Sequence, residues 1–362
     1  MNRQAPRAVR HGRRAGLSFI ADMTGLLSSI TSSWVAVCHR STFCDRRPIV
    51  QYVDVKVHAN VATILMDRPK TRNALNPQLI EDLTTAFSDV YQEKRVAAVV
   101  LTGSGEHFCS GIDLKVLSEI AQMPEDLALP EWLAAWRALT ELYESMLRFP
   151  KPIVAAVDGG ALGAGLGLAL AADLIVASKE ANFGALAVRR GLVGGATTAL
   201  LAFRCGAATA ARMALTGQTI SADQAHGWGL CGEPVDAKQI WVSASELAAQ
   251  CGEAPREAIQ ANKRMLNECV GEMMLSQLAA GAAGSATACT TESAREGISA
   301  FLEARDPVLQ NRRAGVERDV LERRDCRGSP ALALVVFGVQ IVITECPPEL
   351  ERLQRRQRPA LL

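Results

Sequence analysis

Pro152-Ile153-Val154-Ala155-Ala156-Val157 runs directly into Asp158-Gly159-Gly160-Ala161-Leu162-Gly163-Ala164-Gly165-Leu166-Gly167. The first six residues predict a buried strand, and the glycines allow a tight turn into a helix. The first N–H groups of such a helix have no partner inside it and carry partial positive charge, so they can bind a negatively charged oxygen. Small residues could instead serve only to pack this helix closely against a neighbour, and the stretch alone leaves both interpretations open.

Strands and helices are predicted to alternate on both sides of this stretch. The predicted strands are residues 52–57, 61–66, 96–102, 151–157 and 174–177. Asn76-Pro77 is a typical helix start, residues 124–130 are predicted to form a loop, and an apolar stripe from Trp132 to Met146 predicts a core helix. After residue 200 the periodicity becomes helical, with predicted helices at 207–215, 221–227, 240–251, 255–269 and 292–303. The pattern predicts an α/β fold with parallel crossovers, followed by a helical subdomain.

The composition is that of an enzyme-sized protein with a large core. Of 362 residues 49% are hydrophobic, and 39 basic residues balance 38 acidic ones, so the overall charge gives no indication of nucleic-acid binding. The ten cysteines form no Cys-x-x-Cys pair and have no metal-site spacing with the five histidines, so we interpret them as reduced thiols and predict no metal site. The apolar run at 331–344 is too short to cross a bilayer comfortably, and no integral membrane span is predicted.

The two ends differ from the middle. Residues 1–44 hold six arginines, six serines, no lysine and one acid, a composition similar to that of an organelle transit peptide; a disordered extension is the alternative. We therefore divide the chain into a basic extension (1–49), a core (50–235), a C-terminal helical or oligomerisation region (236–310) and an Arg-rich, poorly ordered tail (311–362). The expected location is the cytoplasm in a bacterium, or the mitochondrion in a eukaryote if the extension is a targeting signal.

Four separated segments together resemble the enoyl-CoA hydratase/isomerase, or crotonase, family. They are residues 67–76, 107–114, 151–165 and 215–225, the last followed by Trp228-Gly229-Leu230. A fifth, residues 296–303, is also similar. The resemblance covers residues 50–308, and its specificity comes from the ordered combination, since each piece alone is weak.

This resemblance implies a ββα spiral core with a C-terminal helical region, assembly as a trimer or a pair of trimers, and an acyl-CoA thioester as substrate. It implies no cofactor beyond the coenzyme A of the substrate. The backbone N–H groups of Ile112 and Ala164 would form an oxyanion hole for the thioester oxygen. The expected substrate-binding residues are Lys70, Arg72, Ala74, Ser110, Gly111, Asp113 and Gly163. Lys115, Lys263 and Arg264 are further candidates for phosphate contacts, and Asp113 is also expected to cap or brace its loop.

The acids of the resembled hydratases are missing. Hydration of an enoyl thioester needs a base for water and an acid for carbon, and the family's two glutamates fall at Gly167 and Ala187. A third position that some members use falls near Gly195. Arg189 or Arg190 could orient an anion, although structural pairing is the simpler interpretation for at least one of them.

Other polar groups near the predicted site leave alternatives open. Thr197 and Thr198 could hold water or cap a helix. Cys109 beside His107 suggests nucleophilic catalysis. The alternative is that Cys109 is a packed thiol.

Three functions are consistent with this pattern. The first is an acyl-CoA enzyme of the hydratase/isomerase family that stabilises a thioester enolate in its oxyanion hole without two-glutamate hydration. The second is a decarboxylase or another enolate-forming lyase, whose substrate brings its own leaving group. The third is a non-catalytic acyl-CoA-binding or assembly subunit.

Overall fold

The strands form two sheets in the first part of the chain. In chain order they are β1 (Val53–His58), β2 (Val61–Met66), β3 (Ala98–Gly103), β4 (Ile153–Val157), β5 (Gly160–Leu162), β6 (Leu174–Ala177), β7 (Asn182–Gly184) and β8 (Thr219–Ser221). The larger sheet has the order β1-β2-β3-β4-β6. Its first pair, β1 and β2, is antiparallel, and its other pairs are parallel. In the smaller sheet, β7 pairs with β5 in parallel and with β8 antiparallel.

Helices follow most strands and dominate the second part. They are α1 (Pro77–Gln92), α2 (Leu114–Ala121), α3 (Glu125–Arg148), α4 (Ala164–Ala171), α5 (Gly195–Thr216), α6 (Ala222–Gly227), α7 (Ile240–Cys251), α8 (Arg256–Cys269), α9 (Gly271–Cys289) and α10 (Glu292–Leu302). A 3₁₀ turn, Leu186–Arg190, joins β7 to α5. The predicted alternation and the helical second part are thus confirmed.

The structure is a computed structural model that describes residues 50–269 and 271–309, together with the backbone of 332–337 and 340–345. The described residues up to Arg305 belong to one compact unit, and those from Asp306 onward to a second. In the second unit Leu332–Phe337 and Gln340–Glu345 pair as antiparallel strands. The basic extension at 1–49 lies outside the described residues, as does most of the tail. The four-part domain division therefore stays a prediction. Within the described part, no helix is long and apolar enough to span a membrane.

Helix starts follow local sequence signals. The Asn76 side chain accepts a hydrogen bond from the Leu79 N–H at 2.9 Å, and Pro77 occupies the first helical position of α1. Ser221 and Gln224 form a capping box that starts α6. These caps confirm the predicted starts of both helices.

The core lies on both faces of the larger sheet. Val99 and Leu101 of β3 are buried in the main cluster with the apolar faces of α1 and α3. The alternate residues Ala98 and Val100 belong to a second cluster with α7. Since successive side chains of a strand point to opposite faces, β3 is covered on both sides and keeps the strand ends in a fixed frame.

Two sequence predictions fail here. Residues 124–130 are not a loop, because α3 begins at Glu125 and continues through Pro130. Glu125 and Asp126 stabilise the positive end of this helix, which offsets the backbone hydrogen bond that Pro130 cannot make. Helix α9 was not predicted, because its alanines and glycines give weak apolar periodicity. Its Leu278, Ala282 and Ala286 are nevertheless buried in the main core.

Candidate active site

A cavity of about 580 Å³ collects nearly all the predicted site residues. Ile112, Ala164 and Ala187 line it, and so do the seven residues predicted to bind substrate: Lys70, Arg72, Ala74, Ser110, Gly111, Asp113 and Gly163. Gly167 is the exception, because it is fully buried behind the wall. Residues from segments up to about a hundred positions apart thus line one cavity, and their roles stay a prediction.

The N–H group of Ile112 faces away from the strand-like bridge that holds its loop. Leu75 donates from its backbone N–H to the Gly111 carbonyl, and Asp113 donates to the Leu75 carbonyl, both at 2.8 Å. In a parallel bridge these bonds flank residue 112, so its own N–H points to the other side. No acceptor for it occurs among the described residues. The bridge therefore leaves a backbone donor on the cavity wall.

Ala164 supplies a second such donor. It is the first residue of α4, after Gly163 with φ of 52°, and its N–H has no intrahelical acceptor. The Gly163 N–H donates to the Gly184 carbonyl at 2.7 Å, which ties the turn to β7. A β-carbon built on Gly111, where φ is 101°, would lie 3.3 Å from the Ala164 nitrogen. The two donor segments are thus in close contact, and glycine at 111 keeps the space in front of Ala164 open.

Side chains behind the glycine turn hold it in place. The Nδ1 atom of His107 accepts a hydrogen bond from the Gly160 N–H at 3.1 Å. The Asp158 carboxylate accepts bonds from the Gly159 N–H at 3.0 Å and the Ser178 hydroxyl at 2.6 Å. His107 therefore supports the backbone and is not positioned beside the thiol as a general base.

Cys109 is a packed thiol and not a nucleophile, which confirms the second of the two interpretations of this residue. It is fully buried, its Sγ donates to the Asn73 carbonyl at 3.0 Å, and burial raises the pKa of the thiol to about 12. A thiol with such a pKa is almost entirely protonated at neutral pH and a poor nucleophile.

Charged residues near the cavity have distinct roles. Asp113 pairs with Arg68 at 3.2 Å and accepts a bond from the Lys115 N–H at the start of α2, which confirms that it braces its loop. Lys70, Arg72 and Lys115 line the cavity and are exposed. Their position is consistent with contacts to phosphates.

Lys263 was wrongly predicted as a phosphate partner. It is buried and pairs with Asp173 at 2.7 Å, while its Nζ also donates to the carbonyls of Met146 and Lys151. Burial lowers the pKa of this lysine, and the Asp173 carboxylate opposes the shift. Arg264 beside it is exposed but does not line the cavity. Neither residue is in position to contact a ligand bound there.

The place of the first missing acid is filled by other side chains. A β-carbon built on Gly167 would lie 2.6 Å from the Tyr143 hydroxyl and 2.9 Å from Thr197 Oγ1. The Tyr143 hydroxyl donates to the Ala164 carbonyl at 2.5 Å, and Thr197 Oγ1 donates to the Gly163 carbonyl at 3.2 Å. Burial raises the pKa of Tyr143 well above its ordinary value. These hydroxyls support the turn that carries the Ala164 donor, and they exclude a side chain at 167.

The other two acid positions differ from each other. A β-carbon on Gly195 would lie 2.4 Å from the Gly281 carbonyl oxygen, because α9 packs directly on the start of α5. Ala187 faces the cavity and is only half-buried. Position 195 therefore has no room for a carboxylate, whereas position 187 is open.

Several residues that line the cavity were not predicted from the sequence. Trp136 and Thr140 of α3, Ser285 of α9 and Phe301 of α10 line the cavity. The apolar stripe of α3 was assigned wholly to the core, and α9 was not predicted. Tyr143 did carry a signal, since a tyrosine in a buried stripe needs a partner for its hydroxyl.

The structure also distinguishes the roles of the neighbouring threonines and arginines. Thr198 bonds the Gly194 carbonyl at 2.9 Å, so, like Thr197, it stabilises the backbone. Arg189 is exposed and bonds the Thr216 carbonyl at 3.4 Å. Arg190 lines the cavity.

Comparisons with known proteins agree on one family. The profile described as "Enoyl-CoA hydratase/isomerase" matches residues 56–312. The 2,3-dehydroadipyl-CoA hydratase of Escherichia coli K12 is 33% identical over 253 residues, covering 70% of this chain and 96% of the relative. The 1,2-epoxyphenylacetyl-CoA isomerase of the same organism is 30% identical over 262 residues, covering 72% and 98%.

Solved structures give the same result. A crystal structure of an enoyl-CoA hydratase from Mycobacterium avium subsp. paratuberculosis K-10 is similar with a TM-score of 0.62 and 26% identity, covering 71% of this chain and 98% of that one. An enoyl-CoA hydratase from Mycobacterium avium has a TM-score of 0.61 and 28% identity, covering 71% and 98%. The predicted crotonase-like α/β fold with C-terminal helices is confirmed.

Proposed function

Because the chain belongs to the enoyl-CoA hydratase/isomerase family, we propose that it binds acyl-CoA thioesters and stabilises the enolate of the thioester with the backbone N–H groups of Ile112 and Ala164. Charge that develops on the thioester oxygen would be met by two donors already fixed by the bridge to Leu75 and by the start of α4. The observation that carries this proposal is that both unpaired donors line one cavity.

Two-glutamate hydration does not fit this site. Positions 167 and 195 are closed by packing, and 187 carries an alanine. Among the described lining residues Asp113 is the one carboxylate, and it is engaged with Arg68. The proposed reaction is therefore one in which the oxyanion hole provides most of the catalysis, such as a lyase reaction in which a substituent leaves the α-carbon and its bonding electrons pass into the enolate.

A panel of thioesters tests this proposal. The protein is incubated with crotonyl-CoA, a 3-enoyl-CoA and malonyl-type CoA esters, and the products are identified by mass. Turnover of the malonyl-type esters with little hydration of crotonyl-CoA and little isomerisation of the 3-enoyl ester is the expected result. Hydration of crotonyl-CoA at the rate of an ordinary hydratase would contradict it.

A second candidate is a non-catalytic acyl-CoA-binding or assembly subunit. The observation that favours it is the absence, among the described lining residues, of a carboxylate free to transfer a proton. Tight binding of acyl-CoA in calorimetry with no turnover of the whole panel would support this function over the enzyme.

We also propose assembly as a homotrimer or a pair of trimers. Large apolar side chains are exposed on the C-terminal helices, among them Met265 and Leu266 of α8 and Met273 of α9, which are 62%, 68% and 72% exposed. Burial of such residues commonly drives association. Light scattering coupled to size-exclusion chromatography tests this, and a monomer at micromolar concentration would contradict it.

A further inference from the structure

Arg190 differs from the other cations of the cavity. Lys70, Arg72 and Lys115 come from the loops around residues 68–75 and 110–115, and all three are exposed. Arg190 comes from the 3₁₀ turn after β7 and is half-buried. Arg190 is therefore not simply a solvated charge on the surface, and its position needs another explanation.

The geometry of the 3₁₀ turn directs Arg190 to the same side as Ala187. Residues three apart eclipse each other in a 3₁₀ helix, and both of these line the cavity. Val188 and Arg189, which lie between them, are exposed and do not line it. Ala187 marks the place of a family acid, so Arg190 is placed beside the part of the cavity where the acyl group is expected.

Neighbouring elements fix the backbone and the side chain of Arg190. A β-carbon on Gly297 of α10 would lie 2.0 Å from the Arg190 carbonyl oxygen, so helix and turn are in direct contact. The guanidinium carbon stacks over the Phe301 ring, 4.3 Å from its centroid. This stacking holds the guanidinium plane while leaving its N–H groups available for hydrogen bonds.

No carboxylate of the described residues neutralises this arginine. The nearby acids of α10 have other partners: Glu296 and Glu303 pair with Arg305. Burial lowers the pKa of Arg190 and is the sole cause of the shift. A partly desolvated cation without a counter-ion is costly, and an anionic ligand would offset that cost.

We infer that Arg190 binds a carboxylate carried by the acyl group, so that the preferred substrates are CoA thioesters of dicarboxylic acids. The inference rests on the proposed binding of acyl-CoA in this cavity. A planar guanidinium accepts a carboxylate through two parallel hydrogen bonds. The carboxylate in question is the distal one of a diacid such as succinyl-CoA or longer, and it serves recognition and remains in the product. The carboxylate on the α-carbon of a malonyl-type ester is a different group, the one that leaves in the proposed reaction.

Binding of unreactive thioesters tests this inference without turnover. Succinyl-, glutaryl- and adipyl-CoA are compared in calorimetry with butyryl-, valeryl- and hexanoyl-CoA of equal carbon number. At least one diacid is expected to bind about tenfold or more tightly than its partner, since hydrogen bonds to charged groups contribute that much. Equal affinities across all pairs would overturn the inference.

Variants then assign the preference to one residue. Arg190→Gln is expected to lose the preference for the diacid while it keeps the affinity for the neutral thioester, and Arg190→Lys to retain part of it. Arg189→Gln is the matched control, because the adjacent arginine faces outward, and it should behave like the wild type. A loss of affinity that is equal for both ligands in Arg190→Gln would assign the arginine to a CoA phosphate instead. If the preference holds but no thioester turns over, the proposed reaction fails and this inference stands.

Discussion

The backbone donors of the site and its missing acids depend on different kinds of group. Ile112 and Ala164 present N–H groups whose geometry depends on a bridge, a helix start and two glycines with positive φ. The acid positions at 167 and 195 have no room for a side chain, because Tyr143 and α9 occupy that space. A role carried by backbone N–H groups tolerates changes of side chain, whereas a role carried by side chains requires those side chains and the space that they occupy.

Gly111→Ala should have the largest effect on activity. Its β-carbon would lie 2.8 Å from the Leu162 carbonyl oxygen and 3.3 Å from the Ala164 nitrogen, in front of one donor. We expect kcat/KM on the best thioester to fall about 10²- to 10³-fold, the cost of losing one oxyanion donor. Gly229→Ala is the control, because it also places an alanine at a positive φ, of 74°, and nothing lies within 4 Å of its β-carbon. Equal activity of the two variants would contradict the role of the Ala164 N–H group as an oxyanion donor.

Gly167→Ala should reduce the stability of the protein at the first acid position. The methyl group overlaps the Tyr143 hydroxyl, and overpacking of this kind costs about 1–3 kcal/mol of the free energy of unfolding. In Tyr143→Phe that hydroxyl is gone, so the added methyl group should cost less in the double variant than in the wild type. Urea unfolding of the four proteins measures this. Additive costs would contradict the assignment of the overlap to the Tyr143 hydroxyl and would place it on the ring carbon Cζ, 2.8 Å from the built β-carbon, and on Thr197.

Ala187→Glu should restore an acid at the one open position with little cost in stability, about 0.5 kcal/mol or less, because the side chain enters the cavity. The new acid is expected to catalyse exchange of the α-protons of a bound saturated acyl-CoA with deuterium from D₂O. Mass spectrometry of the acyl-CoA measures this exchange. Ala187→Gln has the same size without the acid and should show no gain. Equal exchange in both variants would contradict the placement of residue 187 near the α-carbon.

The smallest expected effect is the chemical reactivity of the Cys109 thiol in the folded protein. Its pKa of about 12 predicts no alkylation by iodoacetamide in the folded protein at pH 8, and rapid alkylation after unfolding. The folded state keeps this proton to a higher pH than the unfolded state, whose ordinary value is 9.0, so the contribution of Cys109 to stability declines as pH rises from about 9 to about 12. Labelling at Cys109 in the folded protein, located by peptide mass, would contradict its burial.

The sequence predicted best those features that are determined by residues close together along the chain. The helix start at Asn76, the helix start at Ser221 and α7 at Ile240–Cys251 follow from a few neighbouring residues, and each was predicted correctly. The lining of the site was largely predicted through the family resemblance.

Features determined by tertiary contacts were missed. Sequence revealed that Gly167 is no acid, but not that Tyr143, 24 positions earlier, fills its place. Lys263 has the appearance of a surface lysine on a helix, and only the contact with Asp173 places it inside the protein. Pro130 was a misleading local signal, because α3 accommodates it while burying Trp132 and Trp136 in the core.

The central claim is that the N–H groups of Ile112 and Ala164 polarise the thioester carbonyl without the help of family acids. Isotope-edited infrared spectroscopy of a bound acyl-CoA with a ¹³C-labelled thioester carbonyl measures this directly and requires no turnover. We predict a shift of the carbonyl stretch to lower frequency in the wild type, and its loss in Gly111→Ala. A bound carbonyl with the same frequency as the free thioester in water would contradict the claim.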